Sequence, residues 1–250
     1  MRKVIQKVLN ILAKKSIEKE FPEAVQDVRD YAKKSGTTGT QWITLWMSVR
    51  KIKKYKPAWI LESGTGSSTL VLAATVAHLR KIHPNYDGKI ISMESMEEWY
   101  ESAIKNLPEK YNDIVEIVYG PREKYEMSMF RGYIHSNIPQ KDYSFILIDG
   151  PAFQDEQGIS FCADLFKIME FTKSNVIHGV SDGRASSVWV IQQIYGKKFV
   201  RYWHSVFAAS FSLPKINAME ATLNTPKHFQ TMPNGSLEFI KFRKNKISDN

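Results

Sequence analysis

The run Trp59-Ile60-Leu61-Glu62-Ser63-Gly64-Thr65-Gly66-Ser67-Ser68-Thr69-Leu70 decides the fold. It opens as an apolar stretch of strand type and ends in an acid and a Gly-x-Gly turn. Leu70, Val71, Leu72, Ala73 and Ala74 follow and read as a buried helix. Strand, glycine turn, helix is the layout of a nucleotide-binding crevice. Glycines at 64 and 66 let the backbone turn sharply and approach a ligand closely. The N–H groups that open the following helix favour an anion or a polar acceptor.

Three ligand classes use such a loop. A phosphate-binding loop needs Gly-Lys-Ser/Thr, and no lysine follows here. A dinucleotide fold wants a third glycine where Thr69 stands. S-adenosylmethionine has no phosphate but carries a ribose, an adenine, a carboxylate and an ammonium. Glu62, an acid at the strand end, suits the third class, because a cation must be held nearby. A tight strand-to-helix turn without a ligand has the same outline.

From Ala58 onward strands and helices alternate, the mark of a parallel sheet covered on both faces. The expected strands are about 58–62, 89–93, 115–119, 143–148 and 175–180, with two more near 199–213 and 237–243. Helices are expected over about 67–82, 97–107, 156–171 and 185–195, and a helix and loop over 122–141. Before the sheet, apolar periodicity predicts three helices, over about 1–20, 22–34 and 41–54. Residues 1–56 thus form a helical segment packing on a main domain of residues 57–250. In the first helix Val4, Ile5, Val8, Leu9, Ile11 and Leu12 recur at helical spacing among Lys and Arg, and no acid precedes Glu18. Such a helix packs on its own domain or on a second subunit, so a homodimer is compatible with it. A membrane-surface helix has the same pattern.

Composition sets bounds. With 250 residues, 43% of them hydrophobic, the chain can bury one α/β core. No apolar run is long enough to span a bilayer. The single Cys162 excludes an internal disulfide and fits a reducing compartment, so a cytoplasmic location is expected. The net charge of +9 leaves nucleic acid or an anionic surface as partners, but the basic residues are spread along the chain and read as a solvated surface.

Acids recur at successive strand ends: Glu62, Glu94, Asp149 and Asp182. In a doubly wound sheet those ends face the ligand crevice. Glu94 can accept two hydrogen bonds from the vicinal hydroxyls of a ribose. Its distance from Gly66 exceeds the ~20 residues of a dinucleotide enzyme, but the 83–88 turn absorbs the excess. Met96 follows and can cover an adenine face. Asp149 either orients an acceptor and takes its proton or caps the next helix. His178 reads as a core histidine, whereas His135 and His228 fall in loops.

Three stretches together resemble the class I S-adenosylmethionine-dependent methyltransferases: Glu62-Ser63-Gly64-Thr65-Gly66-Ser67-Ser68-Thr69, Ile90-Ile91-Ser92-Met93-Glu94 and Phe145-Ile146-Leu147-Ile148-Asp149-Gly150-Pro151. The resemblance covers about 57–195 and is most similar to a subgroup of small methyltransferases with a Glu-x-Gly-x-Gly-x-Ser-Thr loop. It implies a three-layer α/β/α sandwich with a seven-stranded sheet, in the order 3-2-1-4-5-7-6 with the last strand antiparallel. It implies S-adenosylmethionine as cofactor, with Gly64, Gly66 and Ser68 in the loop under the methionine part. Glu62 would orient the ammonium, Glu94 bind the ribose, and Gly120-Pro121-Arg122 border the adenine. A Gly64→Val change is then expected to fill the ligand's space. Asp149 would lie near the methyl donor and the acceptor, a small molecule methylated on oxygen or nitrogen. Related catechol-type enzymes hold magnesium with acids like Asp149 and Asp182 plus an amide residue. Gly183 stands at the amide's place, so no metal is expected. An NAD-dependent oxidoreductase or epimerase, and a basic nucleic-acid or membrane-surface protein, are the competing functions. Finally, residues 214–236, with Met219, His228, Phe229 and Met232, are expected to join the last two strands, either closing over an acceptor or forming a decorative or dimer-forming insertion.

Overall fold

The computed structural model describes residues 2–35, 41–127, 130–151, 154–155 and 158–215. Three helices lead: α1 (Arg2–Glu20), α2 (Pro22–Ser35) and α3 (Trp42–Tyr55). Pro22 opens α2, where a missing N–H costs nothing and the fixed φ is already helical. β1 (Trp59–Ser63), α4 (Ser67–Ile82), β2 (Lys89–Glu94), α5 (Glu97–Asn106) and β3 (Val115–Tyr119) follow. Next come a hairpin of β4 (Arg122–Met127) and β5 (Phe130–His135), then β6 (Tyr143–Ile148). Short strands β7 (Gln154–Asp155), β8 (Gly158–Ile159) and β9 (Phe161–Cys162) precede α6 (Asp164–Phe171). The described chain closes with β10 (Val176–Ser181), α7 (Ala185–Tyr195), β11 (Val200–Trp203) and β12 (Ala208–Pro214).

Seven strands form the main sheet, in the order β11-β12-β10-β6-β1-β2-β3. β3, β2, β1, β6 and β10 run parallel, and β12 is antiparallel to both its neighbours. This is the expected order, with helices on both faces. Strand alternation divides the core in two. Ile60, Ile90, Phe145 and Leu147 pack toward α2, α3 and α4, while Leu61, Ile91, Ile146 and Ile148 pack toward α6 and α7. Both sides of these strands are therefore apolar, as a doubly covered sheet requires.

Three sequence expectations are corrected. Residues 122–135 form a β-hairpin, not a helix and loop. Aromatic and branched residues such as Tyr125, Tyr133 and Ile134 favour strands, and the Phe161 ring lies where a Gly132 side chain would stand. The helix expected from 156 begins only at Asp164, because β9 pairs with β5 first. The stretch 199–213 is two strands, not one. They turn back over residues 204–207, where Phe207 takes a left-handed φ of 51°. This hairpin supplies both remaining strands of the sheet, so 214–236 is not their connection. The strand expected at 237–243 and the residues Met219, His228, Phe229 and Met232 lie outside the described residues.

Candidate cofactor crevice and active site

The carboxyl ends of β1, β2, β6 and β10 carry the acids. Glu62 is wholly buried. Its Oε2 accepts hydrogen bonds from Thr69 Oγ1 at 2.6 Å and Ser92 Oγ at 2.6 Å. The nearby Ser68 hydroxyl also favours the charged form of this carboxyl. Oε1 is also buried and has no partner among the described residues. Burial pushes the Glu62 carboxyl up to about 7, outweighing the hydroxyls that pull it down. An unpaired carboxylate oxygen in a dry site calls for a donor, best a cationic one.

The two loop glycines do different work. Gly64 has φ +98°, and a Cβ there would lie 2.9 Å from Gly150 N and 3.0 Å from Asp149 O. It meets backbone, so Gly64 serves the close approach of β1 to the end of β6, and the expectation that a Gly64 side chain fills the ligand's space is corrected. A Cβ on Gly66 would meet nothing within 4 Å. Gly66 is the glycine that keeps room open. Its N–H is used internally, donating to Thr69 Oγ1 at 3.1 Å.

Glu94 is 9% exposed, and its Oε1 accepts the N–H groups of Ser95 at 2.8 Å and Met96 at 2.9 Å. These bonds fix the carboxylate plane. Burial raises its pKa, against the pull of the two N–H groups. Met96, just before α5, leaves 48% of its surface exposed. Tyr31 of α2 is pushed up to about 12 by burial and then by the charges of Glu62 and Glu94, so α2 reaches the crevice wall. Arg122 lies on β4 with its guanidinium 4.2 Å from the Tyr133 ring centroid.

Asp149 follows β6, its N–H donating to Ser63 O at 2.9 Å. Its side chain is 48% exposed. Burial first, and then Asp182, raise its pKa well above the usual carboxylate range. The two carboxyls perturb each other, and the charge of Asp182 disfavours ionisation of Asp149. Arg184 holds the pair: Nε lies 3.2 Å from Asp182 Oδ1 and NH2 3.7 Å from Asp149 Oδ1. It also donates to Pro151 O at 2.9 Å and to Asp149 O. The cation beside these acids is thus a guanidinium of the chain itself. Among the described residues no cluster of three or more metal-capable side chains occurs. Asp182, not Asp149, bonds an N–H at the start of α7, that of Arg184 at 3.2 Å.

Behind the crevice lies a buried network. Asp164 accepts Ser63 Oγ at 2.5 Å and the His135 N–H at 2.8 Å, and its Oδ2 lies 2.6 Å from His135 Nδ1. It ties the glycine loop to the β4–β5 hairpin. Replacing Asp164 by Ala strands these donors in a dry interior. The expected loss is about 3–5 kcal/mol in urea unfolding, and a loss under 1 kcal/mol would show the network to be dispensable.

No family model and no curated protein matches the sequence. Solved structures do match in shape. A Staphylococcus aureus structure, provisionally described as a caffeoyl-CoA O-methyltransferase, superposes with TM-score 0.54 at 17% identity, covering 82% of this chain and 99% of that one. The fold is that of the class I methyltransferases. A Geobacter sulfurreducens methyltransferase gives TM-score 0.49 at 11% identity, covering 78% of this chain and 89% of that one.

On this methyltransferase fold, Glu62, Gly64, Gly66, Ser68 and Glu94 gather at the ends of β1 and β2. Asp149 stands beside them at the end of β6, its backbone against Gly64. Sequence reasoning missed Ser92 and Arg184. Ser92 had a signal: it is the β2 neighbour of Glu62, and two polar residues side by side in apolar strands invite a hydrogen bond. His178, expected in the core, is instead half-buried: it bonds Ser212 Oγ at 2.8 Å and stacks on Tyr55, itself 37% exposed.

Proposed function

We propose that this protein transfers a methyl group from S-adenosylmethionine to an oxygen or nitrogen of a small acceptor. The observation that carries this reading is the buried, unpaired Oε1 of Glu62; the room above Gly66, on the same loop, supports it. The site fits a ligand with an ammonium at one end and vicinal hydroxyls at the other. Glu62 would meet the ammonium, directly or through water, and Glu94 the ribose hydroxyls. Gly66 leaves the backbone bare beneath the ligand, and Met96 flanks the adenine. Bound there, S-adenosylmethionine supplies a sulfonium-activated methyl group for in-line displacement. The chain's own work is alignment and exclusion of water. Asp149, on the exposed side of the carboxyl pair and kept protonated by burial and by Asp182, would orient the acceptor by a hydrogen bond, and the acceptor's proton passes to water. Arg184 holds that carboxyl in place. A dinucleotide is the weaker fit: Thr69 occupies the third glycine's place, and its hydroxyl takes the Gly66 N–H.

Calorimetry with S-adenosylmethionine and with NAD tests the reading. Binding of the first and not the second is expected. Glu94→Ala should weaken it by roughly 1–3 kcal/mol through loss of a charged acceptor. Binding of NAD alone, or a Glu94→Ala variant with the parent's affinity, contradicts the assignment.

A further inference from the structure

Helix α1 has two apolar faces, and the domain uses one. Leu9, Ala13 and Ile17 recur four apart and turn inward, with Ala13 and Ile17 buried to 4% and 1% exposure. Val4, Ile5, Val8, Ile11 and Leu12 lie around the other side, and all are exposed, from 41% for Ile5 to 64% for Val4. An aliphatic stripe of five side chains over three turns has no partner among the described residues. Its surroundings are cationic. Lys3, Lys7, Lys15 and Lys19 are exposed and make no ion pair among the described residues. The helix has two acids, both neutralised from within: Glu18 pairs with Arg29, and Glu20 with Lys53.

We infer that α1 is a docking helix for an anionic lipid surface. Charge selects this occupant. A second copy would set basic α1 against basic α1. The segment 216–250 carries five basic against three acidic residues, so it is also cationic. A nucleic acid would satisfy the lysines but leave the aliphatic stripe in water. A bilayer containing acidic phospholipid meets both: the aliphatic side chains enter the boundary between headgroups and acyl chains, and the lysines stay among the phosphates. The helix packs on α3 and α2, so its outer face is presented already folded. This inference does not depend on the methyl-transfer reading.

The test is flotation of the full chain with vesicles of phosphatidylcholine alone and with about 30% phosphatidylserine. Binding to the acidic vesicles is expected to be at least ~10-fold tighter, and to weaken by a similar factor between low and high salt. The double variant Val8→Glu/Leu12→Glu should lose vesicle binding ~10-fold or more. Both positions are exposed, so its thermal melting should match the parent's. Absence of parent binding to acidic vesicles, or equal binding by the double variant, overturns the inference. So does a concentration-dependent dimer of the parent that the double variant abolishes, which would assign the stripe to a second copy.

Discussion

Glu62→Gln is expected to be more stable than the parent above pH 7 and to bind S-adenosylmethionine roughly 10–100-fold more weakly. The first effect follows from the buried carboxyl. It titrates near 7 in the folded protein against an ordinary 4.5, so the folded state holds more protons than the unfolded one between those values. Parent stability therefore falls as pH rises through that window, by up to about 3 kcal/mol, and stays low above it. Gln has no proton to lose, so this component vanishes from its profile. Urea unfolding of both proteins from pH 5 to 8 reads the difference directly. The second effect has its own signature. An ammonium beside Glu62 favours the charged form, so binding near pH 6.5 should release protons from the parent and not from the variant. Parallel pH profiles for the two proteins would mean that Glu62 is already charged and satisfied without ligand.

The two glycines should separate folding from binding just as cleanly. Gly64→Ala places a Cβ 2.9 Å from Gly150 N, on a backbone with φ +98°. Neither Gly150 nor Asp149 can yield there without moving β6, so a loss of about 3 kcal/mol or more is expected. Gly66→Val enters open space on extended backbone. Its unfolding free energy should stay within about 1 kcal/mol of the parent's, while S-adenosylmethionine binding disappears from calorimetry. A Gly66→Val protein with parental affinity would remove the loop from the site.

The sheet was readable because its signals are local. Apolar strand runs, each closed by an acid or a glycine, fix β1, β2 and β6, and the acids name the crevice. What escaped depends on distance along the chain. Asp164 bonds Ser63 and His135, and no local pattern links those positions. Arg184 meets Asp149 only through the fold, which brings positions 35 residues apart together. The β4–β5 hairpin was hidden because four of its first five residues are charged or exposed and mask the strand alternation. The final hairpin was misread for another reason. Val200 to Pro214 is strand-like almost throughout, and the turn within it carries no glycine or proline.

That turn has a consequence for the order of assembly. Gln41, ahead of α3, donates its side-chain amide to Val206 O and Phe207 O, and Phe207 in turn packs over Gly183 beside the carboxyl pair. The rim of the crevice is thus a clasp between parts of the chain made early and made late. On the ribosome, β1 and α4 can form long before the hairpin has emerged, so the glycine loop exists first without its surround. Closing a loop of this length is also entropically slow. A nascent chain stalled before residue 200 would carry the glycine turn and Glu62 and still lack the wall that shelters Asp149 and Asp182.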